Sequence, residues 1–280
     1  MPAKLMQLNC LYAHDEVQPT PWKSRCAILR RWIQYLDPDI ITLEEILVGT
    51  RADTGDGVDM LADICAGSCL VHRVFGPACD AVMPFVSDGQ QQGVVLGNAI
   101  ASRWPIEEHA LSSQLSWQRA TVGRGFAAKR SAIWARIATP YGPMGCACTH
   151  LDSVGPHDAN RFKQMVEVMA FIRAQHDGAP WPAILTGDMN AKIDSDALRY
   201  ACGYTINGAT APNAMADALS TVSPDARQES IDFVLVDAES AAAAQIQSCE
   251  VVQDERFGEW PSDHPAIVVH LRGAAGSGKL

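Results

Sequence analysis

Basic charge is scarce in this 280-residue chain: 22 Lys and Arg stand against 32 Asp and Glu, for a formal net charge of −10. A protein that lives on bulk nucleic-acid phosphate usually carries a basic face, and none is visible along the sequence. Long apolar runs are also missing, since no window approaches the roughly 18 to 20 residues that a membrane-spanning helix needs. Met1 to Asn9 shows no apolar stretch followed by a small-residue cleavage site, so a secretory leader is not expected and the reading is a soluble, cytoplasmic protein. Repeats and low-complexity tracts are absent. With 48% hydrophobic and 19% charged residues, the chain has enough apolar surface to fold, which excludes a disordered or fibrous protein. The nine cysteines are odd in number and irregularly spaced. Cys146 and Cys148 form a C-x-C on an expected strand, but no second Cys or His pair at zinc spacing accompanies them. All nine are therefore read as reduced, mostly buried thiols. No Ser or Cys stands in a nucleophile motif such as G-x-S-x-G.

What is present is an alternation of apolar strands and amphipathic helices with no linker between them. Lys4 to Cys10 reads as a strand. Thr20-Pro21 offers a cap and first-turn proline for a helix with Ile28, Leu29, Trp32, Ile33 and Leu36 at helical spacing, which Asp37-Pro38-Asp39 stops. Ile40 to Glu45 reads as a short buried strand ending in two acids, and Val58 to Ala66 as a weaker helix. Cys69–Phe75, Gly93–Ser102, Ile106–Leu111, Ser131–Thr139 and Met144–His150 read as strands in meander spacing. His157–His176 carries Phe162, Met165, Val166, Met169 and Ile172 on one stripe of a second long helix. Pro182–Gly187, Ser230–Val236, Gln247–Val252 and Ala266–Leu271 complete the strands. The stretch near residue 90 and Ile206–Glu229 read as loops. Many strands with one long helix in each half predict an α/β fold: a four-layer α/β/β/α sandwich of two packed, mainly antiparallel sheets flanked by helices. Residues 1–272 are expected to form one domain, with the Gly-rich residues 273–280 a flexible tail or an added remnant.

Polar groups sit at the ends of these strands: Asn9, Glu45, His150, Asp188 with Asn190, Asp232, and the adjacent Asp263 and His264. Any one of them is explained by turn and cap preference. Adjacent strands leave a sheet at one edge, however, so the whole set can converge on one cleft. Carboxylate and amide oxygens suit a hard divalent cation such as Mg²⁺ or Mn²⁺, whereas zinc would call for Cys and more His. Beside such an ion, two histidines can contact a phosphoryl oxygen and manage a proton. Asp232 could orient one imidazole, and Asp188 could align or deprotonate a water.

Five blocks carry a resemblance in order along the chain: Leu43-Glu44-Glu45-Ile46, Thr149-His150-Leu151, Gly187-Asp188-Met189-Asn190-Ala191, Ser230-Ile231-Asp232-Phe233-Val234 and Ser262-Asp263-His264-Pro265. They resemble the signature blocks of the endonuclease/exonuclease/phosphatase superfamily, the DNase I-like metal-dependent phosphohydrolases. Gly97-Asn98-Ala99-Ile100-Ala101-Ser102-Arg103-Trp104-Pro105-Ile106 resembles a further strand of that family, and Trp22, Arg25 and Pro38-Asp39-Ile40-Ile41 its first helix and second strand. The resemblance runs from Gln7 to His270. It implies that Glu45 is the principal metal ligand, that Asn9 supports metal and phosphate, and that Asp263 is a second ligand. It further implies that His150 and His264 are the catalytic histidines, that Asp232 orients His264, that Asp188 positions water and that Asn190 binds phosphate. Arg130 and Asn98 are candidate phosphate-binding residues.

The chain departs from the family pattern in three places. Glu44 stands where Gln is common, so either acid could take the ion. Met189 replaces a usual Phe. Ala128-Lys129-Arg130-Ser131 offers bases where DNase-like members carry an acid that pairs with the first histidine. This leaves open what orients His150, and leaves Arg130 as either a phosphate clamp or a solvated strand residue. The expected function is divalent-metal-dependent hydrolysis of phosphoester bonds by an activated water, as a phosphodiesterase, phosphatase or nuclease. Alternatives are a sphingomyelinase-like phospholipid hydrolase, for which the apolar loop around Val82 to Val86 is suggestive, and a non-catalytic module that kept the fold. The expected partner is a phosphorylated substrate (small molecule, nucleotide or nucleic acid) bound by a monomer, and the charge favours a small one.

Overall fold

The computed structural model describes residues 3–13, 20–50, 55, 57–78, 93–116, 129–153, 158–175, 183–223, 229–239 and 246–272. The expected loops near residues 82–90, the tail from Gly273, and His14, His157 and His176 lie outside these. The chain begins with strand β1 (Ala3–Asn9), helix α1 (Trp22–Leu36) and strand β2 (Ile40–Thr50). β3 (Gly57–Asp59), α2 (Met60–Cys65), β4 (His72–Pro77), β5 (Gly93–Ser102) and β6 (Ile106–Leu111) follow. The second half holds β7 (Ala132–Thr139), β8 (Gly142–His150), α3 (Asp158–Gln175), β9 (Ile184–Asp188), α4 (Asp196–Ala201), β10 (Met215–Asp217), α5 (Ala218–Val222), β11 (Asp232–Asp237), β12 (Ile246–Val252) and β13 (Ala266–Leu271).

These strands form two sheets. The seven-stranded sheet runs β12-β13-β1-β2-β5-β4 with β3 paired to β2, and the six-stranded sheet runs β10-β11-β9-β8-β7-β6. Every pairing is antiparallel except β1 with β2 and β8 with β9. Parallel neighbours need a long crossover, and the two long helices lie in those connections: α1 between β1 and β2, α3 between β8 and β9. This is why the sequence carries one long helix in each half.

Three apolar layers hold the sheets and helices together. Leu5, Ile100, Ile133, Cys146, Cys148, Ile184, Val234 and Val269 fill the space between the sheets. Met6, Leu8, Ile41 and Leu43 pack on the other side of the first sheet with Leu29 and Ile33 of α1. Trp134, Ala147, Leu185 and Phe233 pack outside the second sheet with Met165 and Val168 of α3. A strand covered on both faces reads as a continuous apolar run, which hides its alternation in the sequence. The structure restores it. Leu5, Gln7 and Asn9 share the inner parity of β1; so do Cys148 and His150 on β8, Thr186 and Asp188 on β9, and Asp232 and Val234 on β11.

Several sequence expectations need correction. β2 does not end at Glu45 but continues to Thr50, because a bulge absorbs the two acids and pairing with β5 resumes at Ile46. Ile206–Glu229 is not all loop: it contains β10, which pairs with β11, and α5, capped by the Asp217 side chain. The weaker helix is shorter than Val58–Ala66: it follows β3, spans Met60–Cys65 and is capped by the Asp59 side chain. Pro21 occupies the cap position of α1 and no side chain caps that end, so Thr20 is not its cap. The short helix α4 had no apolar stripe long enough to be read.

Candidate active site

The inner-parity positions converge at one edge of the sandwich. In the second sheet, His150 pairs with Asp188 across β8 and β9, and Asp188 pairs with Asp232 across β9 and β11. In the first sheet, Asn9 lies beside Glu44 across β1 and β2, and His264 stands two residues before β13. The two rows face each other strand for strand. Asn9 Nδ2 donates to Asp188 Oδ2 at 3.0 Å, joining β1 to β9. His264 Nδ1 lies 2.8 Å from Asp232 Oδ2, joining the approach to β13 with β11. Cys148 Sγ donates to Glu44 Oε1 at 3.0 Å, joining β8 to β2.

Asp188 is the hub. Its Oδ2 lies 3.4 Å from His150 Nε2 and 3.7 Å from His264 Nε2, besides the Asn9 contact. Its Oδ1 accepts from the Asn190 backbone N–H at 2.8 Å. Burial, followed by the negative charge of Asp232, raises its carboxyl to about 6. The Gly187 that precedes it has φ 148°, and a Cβ there would lie 1.8 Å from the Thr149 carbonyl oxygen, so only glycine lets β9 approach β8 this closely. Asn190, at φ 48°, turns the chain away, and its Nδ2 donates to the Leu151 carbonyl at 3.0 Å.

The two imidazoles are held in opposite states. Burial, together with the positive charges of Arg130 and His264, pushes His150 well below its ordinary range. Burial also works against protonating His264, but the hydrogen bond and charge of Asp232, aided by Asp188 and Asp263, outweigh it and lift His264 to about 9. Trp260 Nε1 donates to the His264 carbonyl at 2.6 Å and its ring packs edge-on against Trp32 of α1, which ties the His264 loop to that helix.

The bulge separates the two acids. Glu44 and Glu45 together oppose Asn98 on β5, and Glu45 takes φ 59°. Glu44 keeps the inner parity and is fully buried, accepting from Gln7 and Cys148, and burial pushes its carboxyl well above the usual range. Glu45 turns to the open edge, where Oε1 accepts from Asn9 Nδ2 at 3.3 Å and Oε2 from the Tyr12 N–H at 3.2 Å. Tyr12 stands near both edge acids: after burial, the charges of Glu45 and Asp263 raise its hydroxyl. A cavity of about 250 Å³ opens beside Asp263, lined by Leu11, Arg25, Trp260 and Pro261.

Two sets of ligand atoms are available to a cation. Asp188, Asp232 and His264 each offer a ligand atom within 4.8 Å of the others. Those atoms are already engaged with Asn9, with each other and with Gln7. Glu45 is half-buried, its oxygens accepting from Asn9 and the Tyr12 N–H, and Asp263 is exposed; these two acids form the second set. Hard oxygen donors around a buried carboxyl whose own charge is disfavoured fit a divalent cation of the Mg²⁺ or Mn²⁺ type.

Arg130 is not a solvated strand residue. It is 5% exposed, its Nη2 donates to Ser153 Oγ at 2.9 Å, and its charge reaches His150. Asn98 is buried with its Nδ2 given to the Ser131 carbonyl at 3.0 Å, so its amide braces the start of β7. Arg161 and Gln164 of α3 are structural: they bind the backbone of Asp152, just after His150, at 3.2 and 2.9 Å. His72, His109 and His270 lie within β4, β6 and β13, away from the converging ends. Sequence reading missed Gln7, whose only signal is a polar side chain two residues before Asn9 on the same inner face.

A model described as the endonuclease/exonuclease/phosphatase family matches residues 6–264 of the chain. No curated protein matches it in sequence. Among solved structures, the catalytic domain of human Nocturnin with bound sulfate is similar at 16% identity and TM-score 0.69, covering 98% of this chain and 94% of that one. An endonuclease/exonuclease/phosphatase from Bacteroides vulgatus is similar at 18% identity and TM-score 0.68, covering 98% of this chain and 100% of that one. A mannosyl-6-phosphatase of Bacteroides thetaiotaomicron is similar at 18% identity and TM-score 0.65, covering 96% and 99%. At these identities the likeness is one of fold.

Proposed function

The chain belongs to the endonuclease/exonuclease/phosphatase family, and from that premise we propose that it is a divalent-metal-dependent phosphoesterase acting by direct attack of water. The observation that carries this reading is the single oxygen Asp188 Oδ2, which lies within 3.7 Å of donors from Asn9, His150 and His264. A carboxylate so placed can hold a water by one of its proton sites while two imidazoles address the phosphate.

Glu45 and Asp263, with Asn9 beside them, would hold the cation, which when bound supplies positive charge to the phosphoryl oxygens. The remaining work falls to this chain's own side chains. Asp188 orients the water and accepts its proton as the water oxygen bonds to phosphorus and the ester P–O bond on the far side breaks, the departing oxygen taking up a proton from solvent. His264, kept protonated by Asp232, donates to a phosphoryl oxygen and steadies the charge that builds there. His150, kept neutral, donates one ring N–H to the same group. Asn190 would bind the phosphate through its amide, and Arg130, braced by Ser153, adds a fixed guanidinium next to His150. A module that had kept only the fold would not need these opposed histidine states.

The net charge of −10 favours a small phosphorylated metabolite or nucleotide over a long duplex. Purified protein should be screened with Mg²⁺ and Mn²⁺ against nucleic-acid, phospholipid and phosphomonoester panels, with Asp188→Asn alongside. Turnover that needs the cation and vanishes in the variant is the expected result. A chiral phosphorothioate of the best substrate should then invert at phosphorus; retention, or a trapped phosphoenzyme, would remove Asp188 from its role.

A further inference from the structure

Gln7 is fully buried between the sheets, on a strand whose neighbouring inner residue is Leu5. Its Nε2 donates one proton to Asp232 Oδ1 at 3.0 Å and the other to Glu44 Oε2 at 2.8 Å. Glu44 is fixed at its other oxygen by Cys148. The carbonyl end of the same amide has no hydrogen-bond partner among the described residues. A buried unpaired acceptor is destabilising, and an apolar side chain would fill this face without that loss. Flipping the amide would satisfy nothing, because it would set a carbonyl against the Asp232 carboxylate.

From this arrangement we infer that Gln7 is a positioning residue, which holds the Asp232 carboxylate, and through it the His264 imidazole, in working orientation from inside the sandwich. Asp232 has two oxygens and two partners: His264 Nδ1 on Oδ2 and Gln7 on Oδ1. Among the described residues Gln7 is the only donor to that second oxygen. Without it the carboxylate can rotate, and the imidazole it carries loses its fixed direction toward Asp188. Gln7 belongs to the first sheet, pairing with Thr42 and Ile267, while Asp232 belongs to the second. The bond is therefore one of those that tie the two sheets together at the edge where the site forms. Glu44 serves as the anchor for the amide rather than as a ligand of the ion.

The inference rests on the phosphoesterase reading, and its test separates the two. Gln7→Met keeps length and apolar volume but removes both donors. Gln7→Met/Glu44→Met also removes the carboxyl that the first change strands. Turnover on the best substrate of the phosphoester panel is measured together with the proton resonance of His264 Nδ1 and the melting temperature. The single variant should melt lower, and the double variant should regain most of that loss. Both should lose ~10-fold in kcat at little-changed KM, with the Nδ1 resonance displaced from its wild-type position. A double variant with wild-type kcat and an unmoved resonance would reduce Gln7 to a packing partner of Glu44. If the wild type itself turns over no phosphoester, the functional reading fails, and the resonance alone decides the inference.

Discussion

At the scale of single residues, the decisive distinction is between neighbours. Glu44 and Glu45 are chemically alike, yet one is an interior group held by Gln7 and Cys148 and the other stands at the open edge. Glu45→Gln should therefore abolish cation-dependent turnover with the fold intact, because one anionic ligand is gone from a site of hard oxygens. Glu44→Gln should keep cation dependence; equal losses at both, read as turnover against added Mn²⁺, would mean that the edge assignment is wrong. The histidines make a second pair. In EDTA-treated protein, an NMR titration should find His264 half-protonated near pH 9 and His150 still neutral below its ordinary 6.5. His264 is raised on folding, so its stabilising contribution is complete below about pH 6.5 and is lost as the pH rises through about 9. The urea midpoint of wild type should fall toward that of Asp232→Asn across this window. A constant difference between the two would contradict the pairing.

At the scale of elements, the site depends on two departures from regular strand geometry. The bulge in β2 lets consecutive acids serve different compartments, which an unbroken strand would place on opposite faces of the sheet. The close approach of β8 and β9 at Gly187 brings His150 level with Asp188. Gly187→Ala should cost about 3 kcal/mol of stability, combining left-handed backbone strain with a clash against rigid backbone. Its effect on turnover should exceed what the remaining folded fraction accounts for, since the two strands must separate where His150 and Asp188 meet. Urea unfolding alongside activity per folded molecule checks this. A variant with undiminished specific activity would show that the register there is not critical.

At the scale of the whole molecule, the site is the inner core of the sandwich carried to its edge, so occupancy and stability are linked. Cation bound to the folded form but not to the unfolded chain raises stability by mass action, about 2.7 kcal/mol at a hundredfold excess over Kd. Mg²⁺ or Mn²⁺ added to EDTA-treated protein should raise the melting temperature in a concentration-dependent way. Glu45→Gln should blunt that rise, and Gln7→Met should keep it. A wild type indifferent to both ions would remove the cation from the proposed function. Among the described residues no helix is long and apolar enough to cross a membrane.

The sequence by itself determined the class of the fold and most of the strand ends. Apolar runs, two helical stripes and polar residues at run ends are local signals that survive without neighbours. Gly93–Ser102, Ile106–Leu111 and Ala266–Leu271 have the extents that the pattern predicts. Only the tertiary structure decided which acid lies inside and which at the edge, because a bulge is set by the partner strand's register and leaves no local mark. It alone recovered β10 and α5, short pieces stabilised by pairing with β11 and packing near β12 rather than by their own periodicity. It alone showed Arg130 buried, and Gln7 reaching 225 residues along the chain to Asp232. A side chain's partner across two sheets is fixed by where both backbones run, and no property of the residue itself records it.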